Sequence, residues 1–144
     1  MTKTKKYSIK KWVLKQLINP LQVKGGKEEK MKKRILVVDD NKDNRDLIYQ
    51  ILSREGYLVE EAEDGRKALQ KLTDRNFNLV ISDIEMPEVT GIQLAAEIKL
   101  WREPLPVILM SGGIKEIKGL ADFFLSKPFK GKDLLSIVAL ALGE

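Results

Sequence analysis

Five short apolar runs, each separated from the next by a stretch with helical periodicity, constrain this chain more than any other feature. From Arg34 onward, Ile35–Val38, Tyr57–Ala62, Leu79–Ser82, Pro106–Met110 and Phe123–Leu125 are too short for helices and read as strands. Asp43–Arg54 carries Leu47, Ile48, Ile51 and Leu52 at helical spacing and is stopped by Gly56. Asp64–Arg75 turns Ala68, Leu69 and Leu72 inward, Gly91–Trp101 offers Ile92, Leu94, Ala95, Ile98 and Leu100 for packing, and Asp133–Leu142 is the last helix. Buried strands alternating with helices dictate a parallel sheet covered on both faces, wound right-handed. The expected fold class is α/β: a doubly wound five-stranded parallel sheet in the order 2-1-3-4-5, flavodoxin-like, with a shortened fourth helix.

Two regions of different charge divide the chain. Residues 1–30 carry nine lysines against Glu28 and Glu29, whereas residues 31–144 carry 17 basic and 19 acidic side chains. A basic extension therefore precedes a mildly acidic domain, and the domain itself offers no compositional argument for nucleic acid. Within the extension, Ser8–Asn19 is a short helix candidate with Ser8 as N-cap and Pro20 beyond its end. Any membrane contact falls to this segment, because no apolar run approaches spanning length. Gly26-Lys27-Glu28-Glu29-Lys30 is encoded almost wholly by purines, as a ribosome-binding site is, and Met31 follows directly. The natural start is expected at Met31, which an intact-mass measurement on protein from its source organism tests.

Cysteine and histidine are both absent. The first fits a reducing, cytoplasmic setting. The second removes imidazole bases, His-based zinc sites and phosphohistidine, so the chemistry must run on Asp, Glu, Lys, Ser, Thr or Tyr. Taken alone, Asp83 reads as a turn or cap aspartate. In the order 2-1-3-4-5, however, the topological switch point lies between strands 1 and 3. Asp39 and Asp40 end the first and Asp83 ends the third, so three carboxylates meet in one crevice. Unpaired, they repel one another and raise their own pKa values. A hard divalent cation relieves this, and Mg2+ prefers a few carboxylates with phosphate oxygens and water. Ser111 follows strand 4 and Lys127 follows strand 5, so a hydroxyl and an ammonium reach the same rim, where they can spread the charge of a phosphoryl group on Asp83. Lys127-Pro128 is a candidate cis peptide.

VVDD at 37–40, SDIEMPEVTG at 82–91, MSG at 110–112 and LSKPF at 125–129 closely resemble the receiver domain of bacterial two-component response regulators, of the single-domain, CheY-like kind. The resemblance spans residues 32–143. It implies that Asp83 is the phosphoacceptor, and that Asp39, Asp40 and Asp83 hold Mg2+ with the backbone carbonyl of Glu85. Lys127 would contact the phosphoryl group, Ser111 would be the switch hydroxyl and Phe124 the aromatic that swings inward. It further implies a sensor histidine kinase or phosphotransfer protein as donor, stoichiometric phosphotransfer rather than enzymatic turnover, and a downstream partner. No output domain is read after the last helix.

Two departures from the family pattern stand out. The span from Ser111 to Lys127 is short, leaving room for about two helical turns at 3.6 residues each, which puts the switch at Phe124 in question. Leu134–Leu142 is apolar nearly all round, including Ile137 and Ala139 where similar domains carry charge. That face is expected to dock a downstream protein or a second copy of the chain. Two other functions compete: a phosphorylation-independent interaction module, and a phosphatase-type hydrolase in which Glu85 would serve as the second acid.

Overall fold

The computed structural model describes residues 33–101, 104–113 and 121–144. Strands β1 (Arg34–Val38), β2 (Leu58–Ala62), β3 (Leu79–Asp83), β4 (Val107–Ser111) and β5 (Phe123–Ser126) form one sheet in the order β2-β1-β3-β4-β5. Every pairing is parallel. Helices α1 (Lys42–Glu55), α2 (Gly65–Asp74), α3 (Gly91–Trp101) and α4 (Gly131–Ala141) flank it. The α/β doubly wound architecture read from the sequence is thus the architecture of the chain.

The period of two in a strand sends alternate side chains to opposite faces, and here both faces are dry. Leu36, Val38, Val80 and Leu109 pack beneath α2 and α3, against Ala68, Leu72, Leu94 and Ile98. Ile35, Val37, Ile81 and Ile108 pack on the other side beneath α1 and α4, against Ile48, Leu52, Leu134 and Val138. Every residue of β3 and β4 is buried, which explains why Leu79–Ile81 and Val107–Met110 are apolar without alternation. β2 and β5 lie at the edges and are only partly covered.

Several expectations shift in detail. The last helix starts two residues earlier than expected, at Gly131, because the Asp133 carboxylate reaches back to accept from the Lys130 backbone N–H at 3.1 Å. Leu47 and Leu100, counted as packing residues, are 51% and 71% exposed. Each lies off the narrow stripe that meets the sheet, which Ile48 and Leu52 occupy in α1 and Leu94 and Ile98 in α3. In α4, Ile137 and Leu135 pack partly on the core, and Leu140 is the large apolar residue left exposed. The shortened helix expected between β4 and β5, the Ser8–Asn19 helix and the Met31 start all fall outside the described residues. No helix among the described residues is long and apolar enough to cross a membrane.

Candidate functional site

β1 and β3 are neighbours in register, with Val38 opposite Ser82, so the residues that follow them emerge side by side at the C-terminal rim. One carboxylate oxygen from each of Asp39, Asp40 and Asp83 lies within 4.8 Å of the other two. The crossover brings together groups more than forty residues apart in the chain. Asp39 is fully buried, Asp83 nearly so, and Asp40 is exposed.

Asp39 is pinned on almost every polar atom. Its N–H donates to the Ala62 carbonyl at 3.2 Å, its Oδ1 accepts from the Asn41 N–H at 2.9 Å, and its carbonyl accepts from Arg45 Nη1 at 2.7 Å. Only Oδ2 has no hydrogen bond, although it is buried, and it faces Lys127 Nζ at 3.6 Å. An anionic oxygen in that condition is costly unless something charged meets it.

Asp83 Oδ1 accepts from Lys127 Nζ at 2.9 Å. Burial pushes the Asp83 carboxyl above its ordinary range; the Lys127 hydrogen bond opposes this, and the like charges of Asp39 and Asp40 add to the rise. Burial acts on Lys127 in the opposite sense, lowering it, but its hydrogen bond to Asp83 and the charges of Asp39 and Asp83 prevail and raise the ammonium. The pair is lopsided because the lysine faces two carboxylates, whereas Asp83 faces one ammonium and two like charges. The cluster is therefore short of positive charge, and its donor set, three carboxylates with one buried oxygen lacking a hydrogen bond, suits a hard divalent cation.

Ser111 ends β4 and is buried. Its hydroxyl donates to Glu85 Oε1 at a long 3.4 Å and accepts from the Gly113 N–H at 3.1 Å. The Lys127 N–H donates to the Ser111 carbonyl at 2.9 Å, which ties the two residues across the sheet, and the Lys127–Pro128 bond is cis. Phe124 is half-buried on the α3 side of the sheet. Glu85 lies on the exposed side of the loop after β3, between the buried Ile84 and Met86.

That loop is tightly constrained. The Ile84 N–H donates to the Met110 carbonyl at 3.0 Å and the Gly91 N–H to the Ile84 carbonyl at 2.9 Å, while Glu88 sits at φ 65° in the left-handed region. A Cβ on Gly91 would lie 2.2 Å from the Asp83 carbonyl oxygen, so only glycine allows the chain to double back against the end of β3. The sequence reading brought five positions, Asp39, Asp40, Asp83, Ser111 and Lys127, to one end of the sheet and took Glu85 and Phe124 from the resemblance, but it passed over Arg45 and Asn41. Their signal was faint: a cation one helical turn into α1, and a helix-capping amide directly after the acidic pair.

A family model described as the response regulator receiver domain matches residues 35–139. The response regulator MprA of Mycolicibacterium vanbaalenii is 35% identical over 109 residues, covering 72% of this chain and 47% of that protein. The chain thus spans about half the length of the curated relatives it matches. Among solved structures, the response regulator TrrA of Thermotoga maritima in complex with Mg(2+)-BeF is 37% identical, with a TM-score of 0.72 and coverage of 76% of this chain and 99% of that one. The same regulator in complex with the histidine kinase ThkA gives a TM-score of 0.71 at 37% identity, covering 76% and 98%. Sheet order, the strand-end carboxylates with their lysine, and these matches lead to one conclusion: this chain belongs to the receiver domain family of two-component response regulators.

Proposed function

We propose that the chain is a phosphoacceptor that takes a phosphoryl group onto Asp83 from a phosphohistidine on a sensor kinase or phosphotransfer protein. The observation that carries this reading is the half-neutralised carboxylate cluster, in which Asp83 is paired with Lys127 while a buried oxygen of Asp39 has no hydrogen bond. An Asp83 oxygen attacks phosphorus, the new O–P bond forms as the P–N bond breaks, and the electron pair leaves with the imidazole nitrogen. The carboxylate reacts as the anion, so no general base is required. Asp39, Asp40 and Asp83, with the backbone carbonyl of Glu85, would hold Mg2+. When bound, the ion supplies positive charge to a phosphoryl group that would otherwise meet three carboxylates.

Lys127 Nζ is placed to follow the charge from Asp83 onto the phosphoryl oxygens. The Ser111 hydroxyl, held to Glu85 by a long contact, would exchange it for a phosphoryl oxygen, a stronger acceptor. Movement of Ser111 would open space for Phe124 and bias a two-state equilibrium. Output would then pass to a downstream partner or a second copy, for which the surface of α4 around the exposed Leu140 is the proposed contact. Hydrolysis of the acyl phosphate resets the switch, and the chain acts stoichiometrically.

The test is labelling of the chain by acetyl phosphate or phosphoramidate with and without MgCl2. Mg2+-dependent incorporation of one phosphoryl group, abolished in Asp83→Asn, supports the reading. Labelling that survives in Asp83→Asn refutes it; absence of labelling would point to a phosphorylation-independent module, and turnover well beyond stoichiometry to a hydrolase.

A further inference from the structure

Arg45 belongs to none of the roles above, yet its guanidinium spans two elements at the rim of the site. It lies one turn into α1, on a side chain only 13% exposed. Nη1 donates to the Asp39 carbonyl at 2.7 Å, and Nε faces Glu61 Oε1 of β2 at 3.3 Å. An arginine in this position holds its planar fork in one orientation, as a lysine with a single rotating ammonium does not.

The group it grips matters. The Asp39 carbonyl is part of the peptide that joins Asp39 to Asp40, so fixing its direction fixes the plane of that peptide and the exit direction of the Asp40 chain. Asp39 has its own restraints, from Ala62 and Asn41. Asp40 is exposed and follows the end of the strand. Arg45 restrains the peptide between them at its carbonyl oxygen, and Glu61 anchors the arginine. We propose that Arg45 is a positioning residue: braced on Glu61, it orients the Asp39–Asp40 peptide so that both carboxylates face the same divalent cation. This rests on the phosphoacceptor reading for the identity of that cation.

Positioning and simple charge predict opposite signs. Arg45 is a cation beside an acidic cluster, so by charge alone Arg45→Met should tighten Mg2+ binding and Arg45→Lys should leave it unchanged. If Arg45 orients the ligands, both variants weaken it. The loss expected is roughly tenfold, the lower end for partners that orient metal ligands without touching the metal. The experiment is calorimetric titration of the full chain and both variants with MgCl2, each first shown to be folded by circular dichroism. Acetyl phosphate labelling is then followed across the same MgCl2 range. Weaker Mg2+ binding in Arg45→Lys, with the labelling rate returning to within about twofold of wild type at saturating MgCl2, supports the proposal. Unchanged or tighter binding, or a rate that stays low at saturation, overturns it. Should Arg45→Met fail to fold, Arg45→Lys decides the matter alone. A wild-type chain that neither binds Mg2+ nor labels would defeat the phosphoacceptor reading itself; wild-type binding with unaffected variants defeats only the role of Arg45.

Discussion

At the scale of single residues, the electrostatics of Asp83 make a prediction that runs against intuition. Its carboxyl is raised above the ordinary value mainly by burial, with Lys127 already opposing the rise. A carboxylate whose folded pKa lies above its unfolded value is a liability where it is ionised, and the liability fades as pH falls through the folded value and is gone below the unfolded one. Asp83→Asn should therefore be at least as stable as wild type at neutral pH in EDTA, with the difference closing under acid; urea midpoints across pH measure it. A clearly less stable variant would mean that the Lys127 pair outweighs burial after all. Gly91 carries the opposite kind of constraint. Gly91→Ala places a methyl 2.2 Å from the Asp83 carbonyl oxygen, backbone that has no rotamer with which to yield. We expect a loss of about 1–3 kcal/mol or more in urea unfolding, together with slower labelling at Asp83, whose strand end must move. Glycine at position 91 reads in the sequence only as the start of a helix; the collision that requires it is made by a residue eight positions earlier, folded back against it.

At the scale of elements, the strands and helices were largely legible because burial periodicity is a local property. A run such as Leu79–Ser82, apolar without alternation, has few options other than a central strand. Boundaries were less legible where side chains decide them, as at α4, whose start depends on the reach of Asp133. The apolar circumference of that helix also resolves in an ordinary way, since most of it rests on the sheet and on neighbouring loops. One contact ties the two ends of this layer. Buried Tyr57, between α1 and β2, donates its hydroxyl to Glu144 Oε1 at 2.8 Å, beyond the end of α4. Burial, then Glu144 and Glu55, push the phenol well above its ordinary value. The folded state thus holds this proton more tightly than the unfolded state, so the stabilisation is complete below about pH 10, the unfolded value, and is lost as pH rises further. Tyr57→Phe should be less stable than wild type at neutral pH, and the gap should shrink in alkali. A gap that stays constant from pH 8 to 11 would show that the tyrosine proton plays no part.

At the scale of the whole molecule, the site is a charge imbalance held in place by a rigid sheet. Anything that binds the folded chain and supplies positive charge should stabilise it by mass action. MgCl2 at roughly 100 times its dissociation constant should add about 2.7 kcal/mol, seen as a rise in Tm that EDTA reverses. On the proposed ligand set, Asp83→Asn should gain less, since one of its three carboxylates is gone. Equal gains in both proteins would place the ion elsewhere. Local pattern alone was enough to mark the five strands and the four described helices, the acids at two strand ends, and a serine and a lysine at two others, because each is written within a few consecutive residues. Three-dimensional packing decided the rest. It set the carboxylates within 4.8 Å of one another, left one oxygen of Asp39 buried without a hydrogen bond, and ran Arg45 from the Asp39 carbonyl to Glu61. These facts join groups far apart along the chain, and no periodicity encodes which atom of a side chain finds a partner once the strands are laid side by side.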